Sequence, residues 1–304
     1  MTAELSTIID FIRYGASRFG AAGLTFAHNH DNALDEATHM VLQTLHLPHD
    51  LSPAYGHPRL SRDEKQTVLG LIERRIIERK PAAYLTGKAW FAGLEFISDP
   101  RALVPRSPIA ELILGGFSPW LDDREVSNAL DLCTGSGCIG IAMASCNADW
   151  QVDIADISAE ALTLARENIA YQTVAERVQV FASDLFASLD GRSYDLIVSN
   201  PPYVSEQEFA DLPAEYAHEP KLGLTAGSDG LDIALRILAQ AARYLNNNGV
   251  LIVEVGESER ALVELLPAVP FNWVEFNVGA MGVFVIGRAE LVEHADAICA
   301  AARR

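Results

Sequence analysis

Long apolar runs, positive charge and cysteine are all scarce in this chain, and each shortage removes a class of function. No stretch reaches the roughly 18 consecutive apolar residues that cross a bilayer. The first residues, Met1-Thr-Ala-Glu-Leu-Ser, lack the basic segment and apolar core of a secretory signal. The expectation is a soluble, cytoplasmic protein with no membrane partner. Lysine and arginine number 23 against 41 aspartates and glutamates, a formal charge of −18 at pH 7. Such a surface repels nucleic-acid phosphates unless a local basic patch intervenes, and it attracts a basic protein partner, so no stable nucleic-acid binding is expected. Of four cysteines, three cluster as Cys133, Cys138 and Cys146 with no histidine nearby. A C-x4-C pair alone is a poor zinc site, which leaves reduced, buried packing residues as the reading. His28 and His30 find no third ligand at useful spacing, so no metal is expected.

What is present is globular material in quantity: 304 residues, 49% of them hydrophobic, exceed one typical domain and can bury a large core. The amino-terminal part carries helical periodicity. Leu5, Ile8, Ile9, Ile12 and Phe19 mark one face, a second helix spans 33–46, and a third runs from Ser61 to Lys80. Ser61-Arg-Asp-Glu64 is a capping box, Val68, Leu69, Ile72, Ile76 and Ile77 form the stripe that follows, and Pro81 ends it. From Ala83 to Pro105 aromatics and β formers predict a hairpin linker around Trp90–Phe96. Strands then alternate with helices: 126–132, 150–156, 177–182, 194–199, 249–255, 271–278 and 281–287. Gly279-Ala280 is too short for a parallel crossover, so the last two strands must form an antiparallel hairpin. The expected fold class is α/β, a Rossmann-like seven-stranded sheet with that terminal hairpin, behind a small helical domain. The expected domains are 1–82, the linker 83–105, and a catalytic domain 106–304.

Two motifs carry the chemistry. Val126–Leu132 leads into Cys133-Thr-Gly-Ser-Gly-Cys-Ile-Gly140 and then into a small-residue helix, a glycine turn that lets a ligand approach the backbone. A turn serving only packing is the alternative, and the nominal G-x-G-x-x-G match is weak by itself. It gains weight from a second strand, Trp150–Asp156, ending in an acidic residue about 20 positions on, where ribose hydroxyls are bound. Ser158 is the expected N-cap of a helix over 159–171, which makes a helix-entry carboxylate the other reading of Asp156. The second motif is Asn200-Pro201-Pro202-Tyr203, directly after the apolar strand 194–199. Each proline locks φ, and a residue before proline is pushed out of the α region, so Asn200 is held extended with its amide pre-aimed. A neutral amide in that position suits a planar NH2 group; an ordinary proline turn is the alternative.

Asp131-Leu-Cys-Thr-Gly-Ser-Gly-Cys-Ile-Gly140 and Asn200-Pro-Pro-Tyr203 together resemble the S-adenosylmethionine loop and substrate motif of the HemK-like N(5)-glutamine methyltransferases. Tyr84-Leu-Thr-Gly87 and Phe91-Ala-Gly-Leu-Glu-Phe96 resemble that family's linker, so the likeness covers nearly the full length. Where release-factor enzymes read Pro-Arg-Pro-x-Thr-Glu, this chain has Val104-Pro-Arg-Ser-Pro-Ile-Ala-Glu111. That stretch, like the segment Asp211–Leu224, resembles the PrmB branch, which modifies a large-subunit ribosomal protein of the uL3 type. Ala110, where glycine is expected, is a conservative departure. The resemblance implies S-adenosyl-L-methionine as cofactor, held by Asp131, Cys133, Thr134, Gly135, Ser136, Gly137, Asp156, Ser183, Asp184 and Asn200. Gly135 and Gly137 approach the methionine part, Asp156 the ribose, and Ser183-Asp184 the adenine amine, with a surface carboxylate as the other reading of Asp184. It implies a basic ribosomal protein as substrate, met by Asn200, Pro201, Pro202, Tyr203 and Arg106. A salt bridge on the acidic surface is equally open for Arg106, and Tyr216 and Glu219 either shape the glutamine pocket or are solvated loop residues.

Chemistry fits that substrate. A carboxamide nitrogen is a poor nucleophile because its lone pair is delocalised, so the enzyme must orient it and favour the charge of the transition state. The Asn200 carbonyl and the Pro201 backbone carbonyl can accept the two N–H groups, with Tyr203 against the amide plane. None of Asn200, Pro201 and Pro202 is a base. Rival readings are methylation of a release factor, methylation of the adenine N6 amine in DNA, and an inactive ribosome-assembly protein.

Overall fold

The computed structural model describes residues 4–26, 32–277 and 279–304; His28 and His30 lie outside them. The chain divides into two compact units. One comprises Met1–Ala89, Ser98–Pro100 and Pro213–His218, the other Trp90–Ile97, Arg101–Leu212 and Glu219–Arg304.

The first unit is helical. Its three longer helices are Ile8–Ala21, Ala33–Thr44 and Arg62–Glu78, and each of these starts on a side-chain cap. Ser61 and Glu64 form the expected capping box, Thr7 and Asp10 a second, and Asn32 accepts from Leu34 and Asp35 N–H. Caps of this kind satisfy amide groups the first turn leaves without partners. The core face differs from the expected stripe. Ile8, Phe11, Gly15 and Phe19 point inward, while Ile9 is 40% exposed and Ile77 79% exposed. Helical spacing of three and four selects 8, 11, 15 and 19; Ile9 falls a quarter-turn away.

The second unit carries two sheets. Strands β1 (Lys88–Phe91) and β2 (Leu94–Ile97) make the expected hairpin. The main sheet contains β3 (Asn128–Leu132), β4 (Gln151–Asp156), β5 (Val178–Ala182), β6 (Tyr194–Ser199), β7 (Leu245–Glu254), β8 (Asn272–Trp273) and β9 (Val283–Gly287). Their order is β5-β4-β3-β6-β7-β9-β8. Strands β3 to β7 run parallel, and β9 is antiparallel to both β7 and β8. That is the seven-stranded arrangement with a terminal antiparallel pair. β8 is shorter than the expected 271–278: past Trp273 one further bond runs from Val274 N–H to Val283 O, and the Asn277 backbone N–H donates to Glu111 Oε1 at 3.1 Å. Apolar layers cover both faces of the sheet. Ile141, Met143, Ile154 and Val198 belong to one, and Phe186, Tyr194, Leu235 and Leu251 to the other. The cysteines are all free; Cys138 is buried, but Cys133 is only partly so and Cys146 is exposed, which corrects the expectation of three buried packing residues. Among the described residues no group of side chains could hold a metal, and no helix is long and apolar enough to cross a membrane.

Candidate active site

The register of the parallel strands builds one rim. Leu132 of β3 pairs with Ala155 of β4 on one side and Ser199 of β6 on the other, and the Ser199 hydroxyl donates to Leu132 O at 2.8 Å. The residues that follow, Cys133–Gly137, Asp156 and Asn200, therefore emerge side by side, about 5 Å apart per strand. Because β3 has β4 on one side and β6 on the other, this rim lies where the strand order reverses, the place at which open α/β sheets take ligands.

Asp131 is wholly buried and organises the glycine turn. Its Oδ2 accepts from the Thr134 hydroxyl and from Gly140 N–H, the latter at 2.9 Å, while its Oδ1 has no partner among the described residues. Burial pushes its carboxyl up to about 7, against the two hydrogen bonds, which favour the ionised form, and with the Asp156 charge adding to the rise. The folded protein then keeps this proton to about pH 7, whereas the unfolded chain releases it near 3.8. The stabilisation is fully present below pH 3.8 and is lost as pH rises through 7, by at most about 4 kcal/mol. Asp131→Asn mimics the protonated form, so urea unfolding from pH 4 to 8 should show a flatter stability profile for the variant than for the parent. Parallel profiles would refute the assignment.

Gly140 sets how closely the following helix, Cys138–Cys146, sits on the sheet. A Cβ there would lie 2.3 Å from Ile154 Cγ2 and 3.2 Å from Asp131 Cβ. Alanine favours helices by up to about 1 kcal/mol, but overpacking costs about 1–3 kcal/mol and the clash here is severe. Gly140→Ala should therefore lower the urea midpoint, and a raised midpoint would contradict this packing.

Asp156, at the end of β4, accepts Gly135 N–H at 2.9 Å on Oδ2 and Ser158 N–H at 2.8 Å on Oδ1. Burial raises its carboxyl, with hydrogen bonds from Ser158, Gly135 and Ile157 opposing. Both readings of this residue have a basis in the geometry: it accepts the backbone N–H of Ser158, the N-cap of the helix Ala159–Tyr171, and each oxygen retains a lone pair. Ser183, by contrast, turns its hydroxyl inward to Leu185 O at 2.7 Å and accepts from Ser188 N–H. Asp184 is half exposed and paired in a fork with Arg236, at 2.8 and 2.9 Å.

Across the rim, Asn200 is half-buried and Pro201 buried. Neither the Asn200 side-chain amide nor the Pro201 carbonyl bonds to any described residue. Two acceptors left without partners beside a rigid double proline are the polar vacancy of this site. Tyr203 is anchored: its hydroxyl donates to Glu254 Oε1 at 2.9 Å and its backbone carbonyl accepts from Ser258 Oγ at 3.2 Å. Arg106 forms a fork with Glu219, at 2.6 and 2.9 Å, and Glu219 also accepts Val104 N–H. The Arg106 ion pair is to a buried carboxylate and not to the acidic surface. Glu219 is buried, not a solvated loop residue, and Tyr216 belongs to the helical unit. Glu254, Ser258 and Arg236 were not singled out from the sequence. Glu254 alone left a signal, a carboxylate closing the apolar run Val250–Val253.

Comparison with known proteins places this architecture. The family model for the methyltransferase small domain matches residues 117–216. The ribosomal protein uL3 glutamine methyltransferase of Xanthomonas campestris is 63% identical over 295 residues, 97% of this chain and 96% of that relative. Enzymes of the same name from Xylella fastidiosa, strain Temecula1, and Francisella tularensis are 62% and 47% identical, over 98% and 97% of this chain and 96% and 94% of theirs. Among solved structures the hMettl16 catalytic domain is 16% identical with a TM-score of 0.50, covering 91% of this chain and 90% of that one, a likeness of fold alone. Identity of this order along almost the whole length, on a class I methyltransferase sheet with both motifs at its rim, means that the chain belongs to the ribosomal protein uL3 glutamine methyltransferase family.

Proposed function

We propose that this enzyme transfers a methyl group from S-adenosyl-L-methionine to the side-chain amide nitrogen of a glutamine in ribosomal protein uL3. The observation that carries the reading is the pair of acceptors without partners among the described residues, Asn200 Oδ1 and Pro201 O, at the end of β6. A glutamine NH2 group offers two donors, and these two oxygens take both, holding the nitrogen in place while favouring the positive charge that develops on it. Positioning of this kind is worth up to about 7–11 kcal/mol, which makes a base in contact with the nitrogen dispensable. The new N–CH3 bond replaces an S–CH3 bond whose electron pair stays on sulfur as a thioether, and the amide proton passes to water after transfer.

S-adenosylmethionine supplies an electrophilic methyl on a sulfonium sulfur. The residues of the rim fit it: Asp131 Oδ1 is buried without a donor and suits the ammonium of an amino acid, and Asp156 keeps lone pairs for ribose hydroxyls. Gly135 and Gly137, with Cys133, Thr134 and Ser136, form the turn that admits it, and Ser183 and Asp184 border the adenine end. The surface charge of −18 suits a basic ribosomal protein. In this reading residues 1–82 recognise the substrate, 83–105 link, 106–304 catalyse, and the cytoplasm is where the protein meets its substrate.

The test is incubation with labelled S-adenosylmethionine and purified large-subunit proteins, with release factor presented in parallel. Label on uL3 that disappears when the target glutamine is changed to alanine is the expected result. Label on release factor alone, or on no protein, would sink the reading.

A further inference from the structure

Tyr203 is fixed by contacts that a packing role alone does not require. Its hydroxyl donates to Glu254 Oε1 at 2.9 Å, and the other oxygen of that carboxylate accepts the Ser107 hydroxyl at 2.5 Å. Ser107 in turn accepts Ile109 N–H at 3.2 Å, so its one proton is directed at Glu254. The ring lies over Gly256, where a Cβ would come within 2.6 Å of Cε2, and Gly256 has φ +48°. At Gly230 a Cβ would fall 2.0 Å from the Tyr203 carbonyl oxygen. The residue is thus held at its hydroxyl, its ring and its backbone at once.

Glu254 ends β7 and is only 4% exposed. A buried carboxylate is costly unless donors satisfy it, and two hydroxyls do so here. Burial nevertheless pushes its carboxyl above the usual range, with Ser107, Tyr203 and the Arg106 charge acting against the rise. Between Tyr203 and Asn200 stand only Pro201 and Pro202, both with locked φ. Such a spacer absorbs little movement, so a shift of Tyr203 is passed to the Asn200 amide and the Pro201 carbonyl.

We infer that Glu254 is a positioning residue for the methyl-transfer site, holding Tyr203 through its hydroxyl and thereby aiming the Asn200 and Pro201 acceptors, with Ser107 as its second tether. This rests on the glutamine reading of those acceptors. It also gives the Val104–Ile109 stretch, which sequence marks as the point of difference between branches, a physical task at the site.

The experiment is a double-variant cycle of Tyr203→Phe and Glu254→Gln, read in kcat on uL3, in S-adenosylmethionine affinity and in urea unfolding. Tyr203→Phe keeps the ring and removes only the hydroxyl. Loss of a hydrogen bond to a charged group corresponds to about a ten- to hundredfold change, so each single variant should lower kcat by that factor with KM and cofactor affinity within about threefold, per cofactor-binding site. The double variant should be no slower than the slower single. A residue that merely stabilised the fold would move the unfolding midpoint and leave kcat per folded molecule intact, which would overturn the inference, as would multiplicative losses in the double variant. If the parent enzyme labels no protein, the glutamine reading fails by itself. The clamp is then decided by the unfolding cycle, where non-additive losses support it and additive ones overturn it.

Discussion

Asn200→Ala should lower turnover on uL3 by about 10²–10³-fold, the effect of removing one preorganised hydrogen-bonding group aimed at developing charge, while the affinity for S-adenosylmethionine falls far less. The Asn200 amide bonds to no described residue, so deleting it leaves the fold's own hydrogen bonds intact. The glycine turn and Asp156, proposed to hold the cofactor, are fixed by Asp131, Thr134 and Gly135 and not by Asn200. What alanine removes is one of two acceptors for the glutamine NH2 group, and with it the orientation of the nitrogen lone pair. Asn200→Asp separates geometry from charge: it retains an acceptor oxygen but adds a negative charge beside a half-buried rim. Isothermal titration gives the cofactor affinity and labelled methyl transfer the turnover. Equal losses of both for Asn200→Ala would refute this division of labour.

Elements whose determinants lie within a few residues were legible in the sequence. The helix Ala159–Tyr171 and strand β6 have the expected bounds because Ser158 caps one and two prolines end the other. The glycine turn and Asn200–Tyr203 are contiguous and announce themselves for the same reason. Elsewhere the deciding partner was distant in the chain. Asn277, expected in β8, bonds instead to Glu111, 166 residues away. Ile9 is the local exception: spacing of three and four sets Ile8, Phe11, Gly15 and Phe19 on one face, and Gly15 hides that face by adding no apolar side chain to it. Glu254 meets Ser107 across 147 positions and Tyr203 across 51, and Asp184 meets Arg236 across 52. No local pattern encodes such pairs, and the sequence alone left Arg106, Asp156 and Asp184 each with two readings.

Arg75→Met should be the most destabilising single change in the helical unit, at about 3–5 kcal/mol, the cost of leaving buried charge without its counter-ion. Arg75 sat unremarked in the helix from Ser61, yet its side chain is wholly buried. Its Nε donates to Glu36 Oε1 at 2.8 Å and its Nη2 to Thr25 O at 2.8 Å, and its Nη1 lies 3.7 Å from Glu215 Oε1. Glu215 belongs to this unit through the segment Pro213–His218, and it also accepts Thr25 N–H and pairs with Arg79. Burial already raises the Glu36 carboxyl against the pull of Arg75. Without the guanidinium that rise grows, the folded state holds a proton the unfolded chain releases, and the stability of the variant falls as pH increases from the ordinary carboxylate range toward neutrality. The loss should accordingly be smaller at pH 5 than at pH 7.5. Glu36→Gln added to Arg75→Met should recover part of it by removing the orphaned charge, while Glu215 stays held by Arg79 and Thr25. Amide exchange in the helices Ala33–Thr44 and Arg62–Glu78 reads the effect within this unit. A loss below about 1 kcal/mol, or one independent of pH, would mean that these charges are solvated and that the ion pairs do not hold the unit together.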